Sequence, residues 1–119
     1  MSKSTERTEL YAVADFCLIP MGTGEPSVGE YIAECHKVLE RSGLPFEMHG
    51  YGTNLEGPWD QVCKVIGDCH AAVHGQGAPR IATDIRIGTR TDKEIAAGTG
   101  NDGKLKRVQE ILARETTRA

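Results

Sequence analysis

Two segments of strict period-two alternation limit what this chain can fold into. In "LYAVADFCLI", residues 10–19, Leu10, Ala12, Ala14, Phe16 and Leu18 fall on one side, and Tyr11, Val13, Asp15, Cys17 and Ile19 on the other. In "RIATDIRIGTR", residues 80–90, Ile81, Thr83, Ile85 and Ile87 alternate with Arg80, Ala82, Asp84 and Arg86. Alternation of this kind marks strands with two unlike faces. Between them lie two stretches of helical period. "SVGEYIAECHKVLERSG", residues 27–43, carries Val28, Ile32, Cys35 and Leu39 on one stripe. Ser27 is its expected N-cap, Glu30 completes a capping box, and Gly43 marks the stop. The second helix is expected to start at Pro58, with Asp60 complementing its dipole. Its stripe is Trp59, Val62, Cys63, Ile66, Cys69 and Val73, and "HGQGAP" ends it.

"PFEMHGY", residues 45–51, reads as a shorter strand, and "TNLEG", residues 53–57, as a turn with a brief edge strand. "KLKRVQEILAR", residues 104–114, predicts a short terminal helix. The order βαββαβ plus a final helix predicts an α+β fold, a ferredoxin-like sandwich with an extra C-terminal helix. One domain is expected over residues 9–115, after a flexible tail at 1–8; a chain of 119 residues buries a core without staples. Both crossover helices would cover one sheet face. The other would hold Tyr11, Val13, Cys17 and Ile19 around Asp15, with Arg80 and Arg86. That mixture is too apolar to stay wet, so a homo-oligomer with its open sheet faces buried is expected.

A formal charge of −3 offers no electrostatic footprint for nucleic acid or an anionic membrane. The longest apolar runs fall far short of a membrane span. The polar start "MSKSTERTE" forms no apolar signal region. The four cysteines, Cys17, Cys35, Cys63 and Cys69, include no C-x-x-C pair and sit in apolar-patterned segments, as buried reduced thiols do. A cytoplasmic protein is expected.

Functional side chains concentrate in "HGYGTNLEGPWDQV", residues 49–62. A Glu56 carboxylate at the mouth of the second helix disfavours phosphate and suits an exocyclic amine or a cationic ring. Trp59 or Tyr51 offers that ring an aromatic face, and Thr53 a hydroxyl that donates and accepts. Equally, Glu56 serves as a helix cap and Trp59 as core. "MGTGEPS", residues 21–27, brings Gly22, Thr23 and Ser27 to the start of the first helix, as a binding loop or as a tight connection. Arg80, Arg86, Arg90 and Lys93 form either a salt-bridge network or a grip for sulfate or phosphate. His49 points to the open face, lining a cavity there or an interface.

Three other signals lack their context. "GTGNDGK", residues 98–104, resembles a phosphate loop, but it does not directly follow a strand and Leu105 stands where a metal-holding Ser or Thr belongs. His70 and His74 are spaced for metal, with no third ligand at a suitable spacing. Acylphosphatases share the architecture, but "MGTGEPS" has no basic residue, and fold alone transfers no activity.

The segments "PMGTGEPSVGEYIAE", "HGYGTNLEGPWDQV" and "RIATDIRIGTRTD", spread over roughly residues 9–94, resemble the small thiamine-binding family with the YkoF-type fold. The Thr53-x-x-Glu56-Gly57 element is fairly specific, and its combination with "GTG…S" and the final strand is strongly so. The resemblance implies a ferredoxin-like subunit, assembly as a dimer of dimers, and non-enzymatic binding of thiamine or its aminopyrimidine portion at subunit boundaries, with no cofactor or metal required. Taken with the chemistry of the residues, expected ligand contacts are Gly22, Thr23, Ser27, His49, Thr53, Glu56, Trp59, Arg80 and Arg86. The alternative is a structural or regulatory oligomer that holds an anion such as sulfate, with a fungal cell-wall role. The glycine-rich "AAGTGNDGK" and the long polar N-terminus depart from the family pattern.

Overall fold

The computed structural model describes residues 10–118; the tail expected at 1–8 lies outside the described residues. Strand β1 (Tyr11–Met21) leads to helix α1 (Gly29–Ser42), strands β2 (Phe46–His49) and β3 (Gly52–Pro58), helix α2 (Trp59–Gly75), strand β4 (Arg80–Gly88) and helix α3 (Gly100–Arg118). The sheet runs β2-β3-β1-β4 with every neighbouring pair antiparallel. This is the ferredoxin-like order, with α3 added.

The alternation in β1 decides where the core lies. Ala12, Ala14, Phe16 and Leu18 are buried beneath α1 and α2, together with Leu55 of β3. Leu39 of α1 and Val62, Cys69 and Val73 of α2 are fully enclosed against them. Truncating a leucine at such a position costs about 2–5 kcal/mol. The register places Tyr11, Val13 and Asp15 on the opposite face, beside Pro58, Glu56 and Asn54 of β3, and Cys17 follows on that face with its backbone close to Gly52.

Several local expectations are corrected. "TNLEG" is no turn or edge strand: it lies within β3, which is flanked by β2 on one side and β1 on the other. Gly52 permits this, because a Cβ there would collide with the Phe16 carbonyl oxygen across the strand pair. Helix α1 starts two residues after Ser27; its N-cap is Val28, and the Ser27 hydroxyl accepts only a long 3.4 Å bond from the Gly29 N–H. The capping box therefore does not form. Helix α2 begins at Trp59 with Pro58 as its cap. Cys63 is exposed, one position off the buried line of Val62, Val65, Ile66, Cys69 and Val73. Cys17 is half-buried on the open face, while Cys35 and Cys69 are buried neighbours, the Cys69 thiol pointing at the Cys35 carbonyl at 3.9 Å.

Helix α3 is longer than its apolar pattern implied. Its first turn rests on the open face at Val13 and Glu56, and the remainder leaves Leu105, Val108 and Leu112 more than half exposed.

Candidate functional site

The open face carries its polar groups in rows set by register. Glu47 of β2 faces Asn54 of β3, which faces Asp15 of β1, which faces Arg86 of β4. One row of four therefore presents a carboxylate, an amide, a second carboxylate and a guanidinium. His49 reaches over Gly52 to this row, its Nε2 standing 2.6 Å from Asp15 Oδ1. His49 Nδ1 accepts the Tyr51 N–H at 3.2 Å, so in the neutral ring Nε2 carries the proton and donates to Asp15. The pair is solvated, and its net contribution is at most about 1 kcal/mol. Asn54 differs: its amide has no hydrogen bond among the described residues.

One row toward the start of β1, Glu56 is 3% exposed and fully engaged. Its Oε2 accepts the Tyr11 hydroxyl at 2.7 Å and the Gly100 N–H at 2.8 Å; its Oε1 accepts the Asn101 N–H at 3.0 Å. The Tyr11 oxygen in turn accepts the Gly98 N–H at 3.0 Å. Glu56 thus caps a helix, but the helix is α3, not α2. Burial pushes its carboxyl up, and the N–H of Asn101, the Tyr11 hydroxyl and the N–H groups of Gly100 and Gly98 outweigh that, holding it below the usual range. Burial, then the bond to Glu56, pushes the Tyr11 hydroxyl up to about 12.

Thr53 and Glu56 do not share a pocket. Thr53 pairs with Phe16 on the helix-covered face and is 7% exposed, whereas Glu56 pairs with Val13 on the opposite face. Three residues of extended strand reverse the side, so the Thr-x-x-Glu spacing separates the two groups. Trp59 opens α2 with its backbone N–H bonded to the Leu10 carbonyl, and it lies about 20 Å along the strand from Thr53. Tyr51, in the β2–β3 turn, is the far more exposed aromatic at 89%.

The remaining expected residues collect at the other end of β1. Met21 pairs with Arg80, and Gly22 bends against Pro79 with φ at +73°. The Thr23 hydroxyl bonds within its own turn to Glu25, as a local connection does. Eight residues of strand, about 26 Å, separate Met21 at the base of this turn from the Val13–Glu56 row, so a single subunit does not unite these groups. Of the nine expected contacts, His49 and Arg86 meet at the Asp15 row, and Gly22, Thr23 and Arg80 cluster at the far end. Asp15, Asn54 and Glu47 are site residues that motif reading passed over. The alternation of residues 10–19 already put Asp15 on this face, but Asn54 and Glu47 needed the register. Among the described residues no group of three or more His, Cys, Asp or Glu side chains is arranged to hold a metal. No helix there is long and apolar enough to cross a membrane.

A family model described as "Thiamine-binding protein" matches residues 14–112. A UPF0045 protein of Synechocystis, sll0230, is 53% identical over 100 residues, covering 84% of this chain and 78% of that protein. The UPF0045 protein ECM15 of Eremothecium gossypii is 43% identical over 90 residues, covering 76% of this chain and 86% of its own length. The crystal structure of MJ1052 from Methanocaldococcus jannaschii superposes with a TM-score of 0.72 at 31% identity, covering 84% of this chain and 97% of that one.

Proposed function

The chain belongs to the thiamine-binding protein family, UPF0045, and from that premise we propose that it binds thiamine, or a related aminopyrimidine, on its open sheet face without turning it over. The observation that carries this reading is the uncommitted Asn54 amide, flanked in one row by the Glu47 and Asp15 carboxylates. An aminopyrimidine edge offers an amine that donates beside a ring nitrogen that accepts. A carboxylate next to an amide N–H₂ answers both. The same carboxylates suit the positive charge of a thiazolium, and Tyr51 supplies an exposed aromatic face.

The reading includes a homo-oligomer, a dimer of dimers, that closes over this face. Supporting it are the exposed Ile19 on the face and the exposed stripe of Leu105, Val108 and Leu112 on α3. A second copy would also bring its Gly22–Thr23 turn and Arg80 within reach of the row that one subunit keeps apart from them. Among the described residues no Ser, Thr or Cys side chain on this sheet face is hydrogen-bonded to a base, which favours binding over catalysis.

Calorimetry with thiamine on the parent and on Asn54→Leu tests the reading. Binding by the parent and a loss of tenfold or more in the variant is the expected result. An unchanged titration in the variant, or a parent that binds no thiamine, overturns it.

A further inference from the structure

Beside the Asp15 row a groove of about 1170 Å³ opens between β4, residues 89–96 and α3. Its charges are unevenly satisfied. Arg90 is paired with Asp92, Lys106 with Asp102 and Arg107 with Glu110. Arg86, Lys93 and Lys104 have no ion-pair or hydrogen-bond partner among the described residues. These three come from a strand, a loop and a helix, yet all line the same groove. Glu94 is the one lining carboxylate similarly without a partner. Around the groove Arg86, Lys93 and Lys104 outnumber the one unpaired carboxylate, although Lys93 also lies in the field of Asp92, so an anion is electrostatically favoured there. The walls also include Val13 and Ile95, so the groove presents an apolar surface as well as charge. At about 1170 Å³ it is an open groove, larger than the roughly 300–1,000 Å³ of enclosed small-molecule sites and far larger than a bare ion needs.

We propose that this groove binds a phosphate ester with a flat apolar body, the phosphoryl group held by Arg86, Lys93 and Lys104 and the body lying against Val13 and Ile95. Arg86 supplies the forked, two-point contact, and the lysines act as point charges. The groove stands without the thiamine reading. Its geometry nevertheless connects the two, because Arg86 faces Asp15 directly across the β1–β4 pair. A ligand seated by its ring at Asp15 and Asn54 would extend its phosphoryl group past Arg86 into the groove. Resting on that reading, a phosphorylated thiamine is the favoured ester.

The test is calorimetry with thiamine, thiamine monophosphate, phenyl phosphate and inorganic phosphate, on the parent and on Lys93→Met/Lys104→Met. Both substituted side chains are exposed, and circular dichroism melting checks that the variant keeps its fold. Expected are binding of phenyl phosphate more tightly than inorganic phosphate and a weakening with added salt. Thiamine monophosphate should bind at least tenfold tighter than thiamine, with that advantage abolished in the variant while thiamine affinity stays within twofold. Phenyl phosphate binding that the variant loses, with no response to thiamine or its phosphate, upholds the groove and overturns the thiamine reading. A parent that binds no phosphate ester, or a variant that binds every ester as the parent does, overturns the groove. So does a groove that takes an acidic peptide or oligonucleotide but no ester.

Discussion

Tyr11 and Glu56 meet across the β1–β3 pair, the phenol donating to the carboxylate at 2.7 Å, and together they collect the backbone N–H groups of Gly98, Gly100 and Asn101. A segment more than forty residues further along the chain is thereby fastened to the sheet. A buried carboxylate is costly unless it is satisfied, and here its partners, the Tyr11 hydroxyl and the Gly100 and Asn101 N–H groups, are all neutral. The stabilising charge–dipole contact is with the start of α3, where negative charge is favoured.

Glu56→Ala leaves the Tyr11 hydroxyl and the Gly100 and Asn101 N–H groups without their acceptor. A loss of about 2–4 kcal/mol is expected by urea unfolding, since each buried orphan group costs about 1–3 kcal/mol and water will reach some of them. Glu56→Gln keeps the shape but places donors against donors, and is expected to cost about 1–3 kcal/mol. Tyr11→Phe, which removes one donor and exposes the Gly98 N–H, should cost less than either. Equal stability of Glu56→Ala and the parent would contradict the fastening.

The same group sets an acid limit. Glu56 has its folded pKa below the unfolded value, so its contribution is present above the unfolded pKa, about 4.3, and is lost as pH falls through the folded pKa. Stability of the parent should drop across that acid window, while Glu56→Gln, having no such proton to bind, shows a smaller drop. At the alkaline end the sign reverses. Tyr11 is raised to about 12, so its contribution is full below the unfolded value near 10 and is lost as pH rises to about 12. Tyr11→Phe should flatten that alkaline limb in denaturation monitored by circular dichroism.

Gly100 and Gly103 stand one helical turn apart in α3 and should respond with opposite sign. A Cβ on Gly100 would collide with a Val13 methyl and press on the Glu56 carboxylate, whereas a Cβ on Gly103 meets nothing within 4 Å. Gly103→Ala is expected to stabilise by about 0.5–1 kcal/mol through helix propensity. Gly100→Ala is expected to destabilise by about 1–3 kcal/mol because the helix must lift from the sheet. Thermal unfolding of the two single variants reads both effects.

Much of this was legible in residue order. The alternation in β1 and β4 foretold both faces, and the helical stripes located α1 and α2 within a few residues. What stayed hidden depended on contacts distant in sequence. Gly52 and Gly57 made β3 look like a turn, although Gly52 is there because β1 passes too close for a side chain. Glu56 looked like a ligand contact at α2 because nothing local announces that residues 98–101 return to occupy it. The glycines of that segment concealed the start of α3 for the same reason: they permit close approach to Val13 and Glu56, and propensity alone reads them as loop. Asn54 carries no motif at all; only the pairing with Asp15 and Glu47 gives it a setting.

The stripe on α3 yields the last prediction. Leu105, Val108 and Leu112 fall at positions one, four and eight of a helical repeat and are 57%, 54% and 55% exposed. Spacing of three and four residues puts them on one face. Glu56 fastens the helix through its first turn, and the stripe beyond that turn remains exposed. Water-exposed leucines on one stripe favour association, at about 25 cal/mol per Å² of apolar surface covered. Light scattering of the parent at micromolar concentration should therefore report an oligomer. Val108→Lys/Leu112→Lys should shift it toward smaller species, leaving the far-ultraviolet circular dichroism and the Glu56-dependent acid transition in place. If the double variant keeps the parent's mass, α3 takes no part in assembly; if the parent is itself a stable monomer, the open sheet face is solvated and the oligomeric reading fails.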